Sequence, residues 1–158
     1  QRKLVHYAPF FYPLDTIADW NRVYGSKGFL QYQCVIPPDC AEEAIREILE
    51  RISAAGAGSF LAILKQFGSV QSPGLLSFPQ PGTTLALDFP NRGRKTFDLL
   101  DSLDEVSGAA GGRVYPAKDA RMSAASFQAY FPQWRELEPF IDPHFSSSFW
   151  RRVTEQAM

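Results

Sequence analysis

Three observations in the sequence predict an α+β fold: short segments alternating apolar and polar residues, two longer segments with apolar residues at helical spacing, and Gly or Pro clusters at their junctions. Phe29 to Ile36 alternates, setting Leu30, Tyr32, Cys34 and Ile36 on one side and Gln31 and Gln33 on the other, as a half-buried strand requires. Pro37-Pro38 stops it. Asp39 and Glu42 have the spacing of a capping box, and Ala41, Ala44, Ile45, Ile48, Leu49 and Ile52 then recur with helical period. Gly56 and Gly58 end this helix. A second strand is read at Ser59 to Phe67 and a third at Thr83 to Phe89, closed by Pro90. The Gly/Ser/Pro-rich loop between them, Gly68 to Gly82, is long enough to point to a functional role. Phe97, Leu100, Leu103, Val106 and Ala110 define a second amphipathic helix, and Gly111-Gly112 then release the chain into a short fourth strand at Arg113 to Tyr115.

The order β-α-β-β-α-β is that of the ferredoxin-like fold, an antiparallel sheet whose right-handed crossovers put both helices on one face. Alternation assigns Leu30, Tyr32, Cys34, Ile36, Phe60, Ala62, Leu64, Leu85, Leu87 and Phe89 to the helix side. Gln31, Gln33, Ile63, Lys65, Phe67, Thr84, Ala86 and Asp88 fall on the uncovered side. Helical extensions flank this unit. Asp15 ahead of Ile17, Ala18 and Trp20 predicts a short N-terminal helix, and the segment from Ser123 reads as helical pieces broken at Pro132, Pro139 and Pro143.

With 158 residues and 45% hydrophobic content the chain suffices for one domain with its own core. Its 16 basic and 17 acidic residues leave a net charge of −1 and no electrostatic footprint for nucleic acid or an anionic membrane. RNA-binding sheets of this order also need aromatics on their open central strands, where Gln31 and Gln33 stand instead. No apolar run reaches the ~18 residues of a membrane helix. Cys34 and Cys40 read as reduced, buried thiols, since Cys34 lies inside a strand pattern. His6 and His144 stand outside any metal-ligand spacing and no Cys-x-x-Cys occurs, so no metal site is expected. The chain also lacks a Gly-rich phosphate-binding loop. Gln1-Arg2-Lys3-Leu4 carries neither an initiator Met nor a signal-peptide pattern and reads as a cut end.

Gln31 and Gln33, two apart on one strand, present amide donors and acceptors side by side, and Lys65 adds a positive charge beside Phe67. Such a surface suits a polar, hydroxylated ligand. Polar side chains on an uncovered sheet are also what solvation alone requires, so alternation does not settle function. Lys118, in Ala117-Lys118-Asp119-Ala120-Arg121, follows the fourth strand, where loop residues often enter sites. Parity sets it with Val114 on the helix side, so Pro116 must turn the chain if Lys118 is to reach the open face. Otherwise it is a surface lysine beside Asp119.

Trp20 to Pro37 (WNRVYGSKGFLQYQCVIP), Phe60 to Gly68 (FLAILKQFG), Leu76 to Pro90 (LSFPQPGTTLALDFP) and Gly111 to Arg121 (GGRVYPAKDAR) occur in an order and spacing that resemble a known family. So do the closing Asp142-Pro143 and Phe149-Trp150-Arg151-Arg152. The chain resembles the C-terminal part of FAD-linked oxidases of the vanillyl-alcohol oxidase type, above all the oxidoreductase subunits of decaprenylphosphoryl-β-D-ribose 2′-epimerases. The resemblance implies that residues 1–158 form a single C-terminal substrate-covering domain whose sheet lies over the flavin. FAD would be held by an N-terminal domain absent from this chain, and the fragment alone would bind no cofactor and be inactive.

The implied reaction is hydride transfer from an alcohol carbon to flavin. The implied site has Lys118 as catalytic residue with a possible flavin contact, and Gln31, Gln33, Lys65, Phe67, Thr84 and Ala86 as substrate-binding residues. Ala86 stands where the mycobacterial members have a cysteine facing the flavin, and Thr84 where they have an asparagine. Those departures widen the implied substrate to a sugar, polyol or sugar-lactone. The implied partners are the FAD domain of the same parent chain and a small hydroxylated molecule, in a cytoplasmic parent that meets a membrane only through a lipid-linked substrate. The alternative that the fold equally permits is a stand-alone ferredoxin-like module binding a small molecule or a protein.

Overall fold

The computed structural model describes residues 3–118 and 121–154. Helix α1 (Tyr7–Phe11) and two 3-10 turns, Pro13–Thr16 and Trp20–Tyr24, lead into β1 (Phe29–Ile36). Then follow α2 (Ala41–Ala54), β2 (Ala62–Phe67), β3 (Gly82–Pro90), α3 (Arg94–Ala109) and β4 (Arg113–Val114). Helix α4 (Ala124–Tyr130), a 3-10 stretch at Pro132–Phe140 and α5 (Ser148–Thr154) form the C-terminal extension. The strands lie in the order β2-β3-β1-β4, and every pairing is antiparallel, which is the ferredoxin-like sheet the element order predicts.

The register Leu30↔Phe89, Tyr32↔Leu87 and Cys34↔Leu85 aligns the apolar sets of β1 and β3 on one face. Ile48 and Ile52 of α2 and Leu100, Leu103 and Val106 of α3 close over that face, and all are buried. Each such side chain contributes about 1.5–3 kcal/mol by leaving water. Phe127, Phe131, Trp134 and Val153 of the C-terminal extension join the same core. Gly82 begins β3 at φ 146, where a Cβ would sit 2.1 Å from the Ile36 carbonyl oxygen, so only glycine fits between the strands.

Several sequence expectations are corrected. Asp39 does not cap α2: Pro38 opens a 3-10 turn, Pro38–Cys40, that draws Asp39 inside it, and Cys40 takes the N-cap position without a side-chain bond. The N-terminal helix lies before Asp15, which sits in the turn Pro13–Thr16; α1 is capped instead by His6, whose Nδ1 accepts from the Ala8 amide at 3.3 Å. Strand β2 starts at Ala62, because the Ser59 side chain accepts from the Asp88 amide at 2.8 Å and donates to the Leu61 carbonyl at 2.6 Å, replacing ladder bonds. Ala62 and Leu64 face the helix side, opposite Leu87 and Leu85, yet are exposed, since β2 is an edge strand beyond the reach of the helices. Phe60 precedes the strand and is 68% exposed. Cys34 is buried as expected, but Cys40 is exposed in the turn before α2; both are free. Pro139 lies inside its 3-10 stretch without breaking it.

Candidate functional site

On the face away from the helices, Gln31 of β1 lies opposite Asp88 of β3 and Gln33 opposite Ala86. Strand β2 adds Ile63 opposite Ala86 and Lys65 opposite Thr84. The two-residue period that sends the apolar set inward sends this set outward. These side chains, with Leu61 and Lys118, line one concavity of about 210 Å³. Sites that enclose a small organic ligand run to about 300–1,000 Å³, so the concavity has the size of one wall of such a site.

Lys118 reaches this wall by the turn that parity required. The Tyr115 amide donates to the Gln33 carbonyl at 2.8 Å, extending the β1–β4 ladder by one bond. The 3-10 turn Pro116–Lys118 then swings the chain over, closed by the Lys118 amide on the Tyr115 carbonyl at 3.2 Å. Lys118 Nζ donates to Gln31 Oε1 at 2.9 Å. Asp119, the alternative neighbour, lies outside the described residues.

Behind the wall a polar chain continues inward. Gln31 Nε2 donates to Asp88 Oδ1 at 3.1 Å, and Tyr24 Oη donates to Asp88 Oδ2 at 3.1 Å. Burial first, then the charge of Asp88 and the bond to it, push the Tyr24 phenol up to about 12, so it stays a donor at neutral pH. Gln33 Nε2 donates to Thr84 Oγ1 at 3.1 Å. Lys65 is exposed and, among the described residues, makes no hydrogen bond or ion pair. Among the described residues the wall thus presents one ammonium bonded to the sheet and one without a partner, around the small apolar floor of Ala86 and Ile63.

Of the residues singled out in the sequence, Gln31, Gln33, Lys65, Thr84, Ala86 and Lys118 come together here. Phe67 shares their face but lies off the concavity, its ring edge-on to Phe78 at 6.1 Å. Phe78 in turn stacks on Tyr115 at 4.6 Å, so the long β2–β3 loop folds back over the end of the sheet. Sequence reading placed Asp88 on the open face without giving it a role, and it passed over Tyr24 entirely. For Asp88 the signal is the β1–β3 register, which alternation alone does not supply, and Tyr24 reaches it from a turn outside the sheet. Among the described residues no group of three or more His, Cys, Asp or Glu side chains is placed to hold a metal ion, and no helix is long and apolar enough to cross a membrane.

No family model matches the chain. In an alignment 159 positions long that covers 97% of the chain, it is 39% identical to decaprenylphosphoryl-beta-D-ribose oxidase of Mycolicibacterium smegmatis, covering 34% of that protein. The chain resembles one third of an oxidase. The likeness to decaprenylphosphoryl-β-D-ribose oxidase extends across the fold and is not confined to one motif. A Streptomyces coelicolor protein described as an uncharacterized protein in the mprA 5′ region is 39% identical over 132 residues, 80% of the chain and 35% of that protein. The chain therefore spans about a third of the length of the curated relatives it matches. Among solved structures, prephenate dehydratase from Streptococcus mutans is 13% identical with a TM-score of 0.35, over 54% of this chain and 39% of that one, a likeness too slight to bear on fold or function.

Proposed function

We propose that residues 1–158 are the C-terminal, substrate-covering domain of an FAD-dependent oxidoreductase acting on an alcohol carbon of a sugar, polyol or sugar-lactone. FAD is held by an N-terminal domain outside this chain. The observation that carries the reading is the half-walled concavity, with amides and ammonium groups set around a small floor on the sheet face away from α2 and α3. Its chemistry would suit a flavin: Ala86 presents a small side chain at the wall, and Lys118, held by Gln31, would offer a positive charge. When bound, FAD supplies the hydride acceptor.

The chain's own residues do the rest. As an alcohol carbon gives up hydride to that acceptor, its hydroxyl proton would pass to water, and a cation beside the oxygen stabilises the developing negative charge. Lys118 is the residue assigned to that task, because Gln31 holds its Nζ at the wall. Gln33, bonded to Thr84, orients substrate hydroxyls, and exposed Lys65 gathers substrate by charge without a fixed geometry. Phe67 borders the face and shields its edge.

Expression of the full-length protein containing this chain tests the reading. The expected result is a flavoprotein whose flavin is bleached, without oxygen, by a sugar alcohol or lactone, while the isolated chain binds no flavin and oxidises nothing. Near-stoichiometric flavin on the isolated chain would overturn the division of labour. A full-length product without flavin would leave the stand-alone binding module as the better reading.

A further inference from the structure

We propose that Asp88 is a positioning residue for Lys118: its carboxylate locks the Gln31 amide in one orientation, and that amide holds the Lys118 ammonium at the wall of the concavity. The catalytic consequence rests on the function proposed above; the link from Asp88 to Lys118 does not.

Asp88 is only 2% exposed, and among the described residues it forms no ion pair. A buried carboxylate without a direct counter-ion is costly, so its persistence calls for a role. Both of its oxygens are given to neutral donors, Tyr24 and Gln31. An ionised carboxylate can only accept, so Gln31 must turn its NH2 toward Asp88. That leaves Gln31 Oε1 aimed at Lys118 Nζ, 2.9 Å away. The opposite amide orientation would set an NH2 against an ammonium, donor against donor, and the lysine would leave. Gln31 is also the only hydrogen-bond partner of the Lys118 side chain among the described residues. The β1–β3 register sets Gln31 directly opposite Asp88, so the ladder itself fixes the first link of the relay.

Other titratable groups face this relay. Lys65 of β2 lines the same concavity. Behind Lys118 a cleft of about 20 Å³, too small for a ligand, is lined by Tyr32, Asp104, Tyr115 and Arg121. There Arg121 pairs with Asp104 at 3.0 Å and Tyr32 bonds Ser107 at 3.0 Å. Gln31 remains the route by which negative charge is bonded through to Lys118.

The test is the rate at which acetic anhydride modifies Lys118 in the full-length protein, read by mass spectrometry across the lysine titration. Asp88→Asn should make Lys118 react about tenfold faster at neutral pH, the scale of losing one hydrogen bond to a charged group, while Lys65 reacts as before. Gln31→Met should do the same by cutting the relay. Lys118 reacting at the wild-type rate in folded Asp88→Asn protein overturns the proposal. If that variant does not fold, Asp88→Thr, which suits a strand and lacks the charge, is read by the same criterion. If neither folds, Gln31→Met decides: an unchanged rate overturns the relay and a tenfold rise supports it. In a parent that oxidises alcohols, Asp88→Asn should also lower kcat about tenfold with little change in KM, since only a contact stronger in the transition state is lost. A wild-type parent that oxidises no alcohol would sink the proposed function and leave the modification test standing.

Discussion

The two faces of this sheet bury polar groups in different ways. On the helix side, Tyr32 bonds Ser107 at 3.0 Å beneath α3, and Cys34 lies beside them with no exposure at all. Burial pushes the Cys34 thiol up to about 11 and the Tyr32 phenol well above its ordinary value, so both stay neutral and inert. On the open side Asp88 is almost as deeply buried, but its chain of bonds runs outward through Gln31 to Lys118 on a cavity wall. Burial by itself therefore does not mark a site. A site needs a polar chain with one end fixed in the fold and the other end at a cavity.

The largest effect that would sharpen this contrast is on stability. Phe89→Ala on the covered face, where Phe89 is 1% exposed, should cost about 3–5 kcal/mol in denaturant unfolding. A comparable loss from Gln33→Ala would break the distinction between the faces. Next comes Lys118→Ala in the full-length protein, expected to slow single-turnover flavin reduction by roughly 100-fold, about 2.7 kcal/mol of barrier, with the unfolding midpoint unchanged. Wild-type flavin reduction in that variant would return Lys118 to a surface role.

Thr84→Val should cost about 1 kcal/mol, because it removes the acceptor of Gln33 Nε2 while keeping the volume. No loss in chemical denaturation would mean solvent satisfies Gln33 equally well. A smaller effect is expected from alkali. A group whose pKa is higher in the folded than in the unfolded state holds its proton more tightly when folded. Its stabilisation is complete below the unfolded value and lost as pH rises through the folded one. For Cys34 that window runs from 9.0 to about 11, so thermal midpoints should hold up to the lower bound and then fall. Cys34→Ala should blunt the early part of the fall, and an identical profile would assign it to the tyrosines. Smallest of all, Lys65→Ala should change stability by less than about 0.5 kcal/mol, as for an exposed side chain without partners, and raise KM in the parent.

The fold was legible because its signals are local. Alternation in Phe29 to Ile36 and the helical spacing of Ile45, Ile48 and Ile52 act within one element, and hydrophobic burial then leaves one consistent packing. Where the reading failed, competing local chemistry won: Pro38 moved the start of α2 past Asp39, and the Ser59 hydroxyl took over ladder bonds and delayed β2. The exposure of Ala62 and Leu64 was not legible at all, because edge position depends on strand order and not on parity.

By itself, then, the sequence determined which residues share a face, since a strand's two-residue period follows from backbone geometry alone. On that ground Gln31, Gln33, Lys65, Thr84 and Ala86 form one group. Only the tertiary structure decided which of them meet. The Lys118–Gln31 and Gln31–Asp88 bonds join positions 87 and 57 residues apart, and Tyr24 reaches Asp88 across 64. Such contacts depend on β1–β3 register and on the direction of the turn after β4. Both are set by the packing of the whole sheet against α2 and α3, which no local pattern encodes.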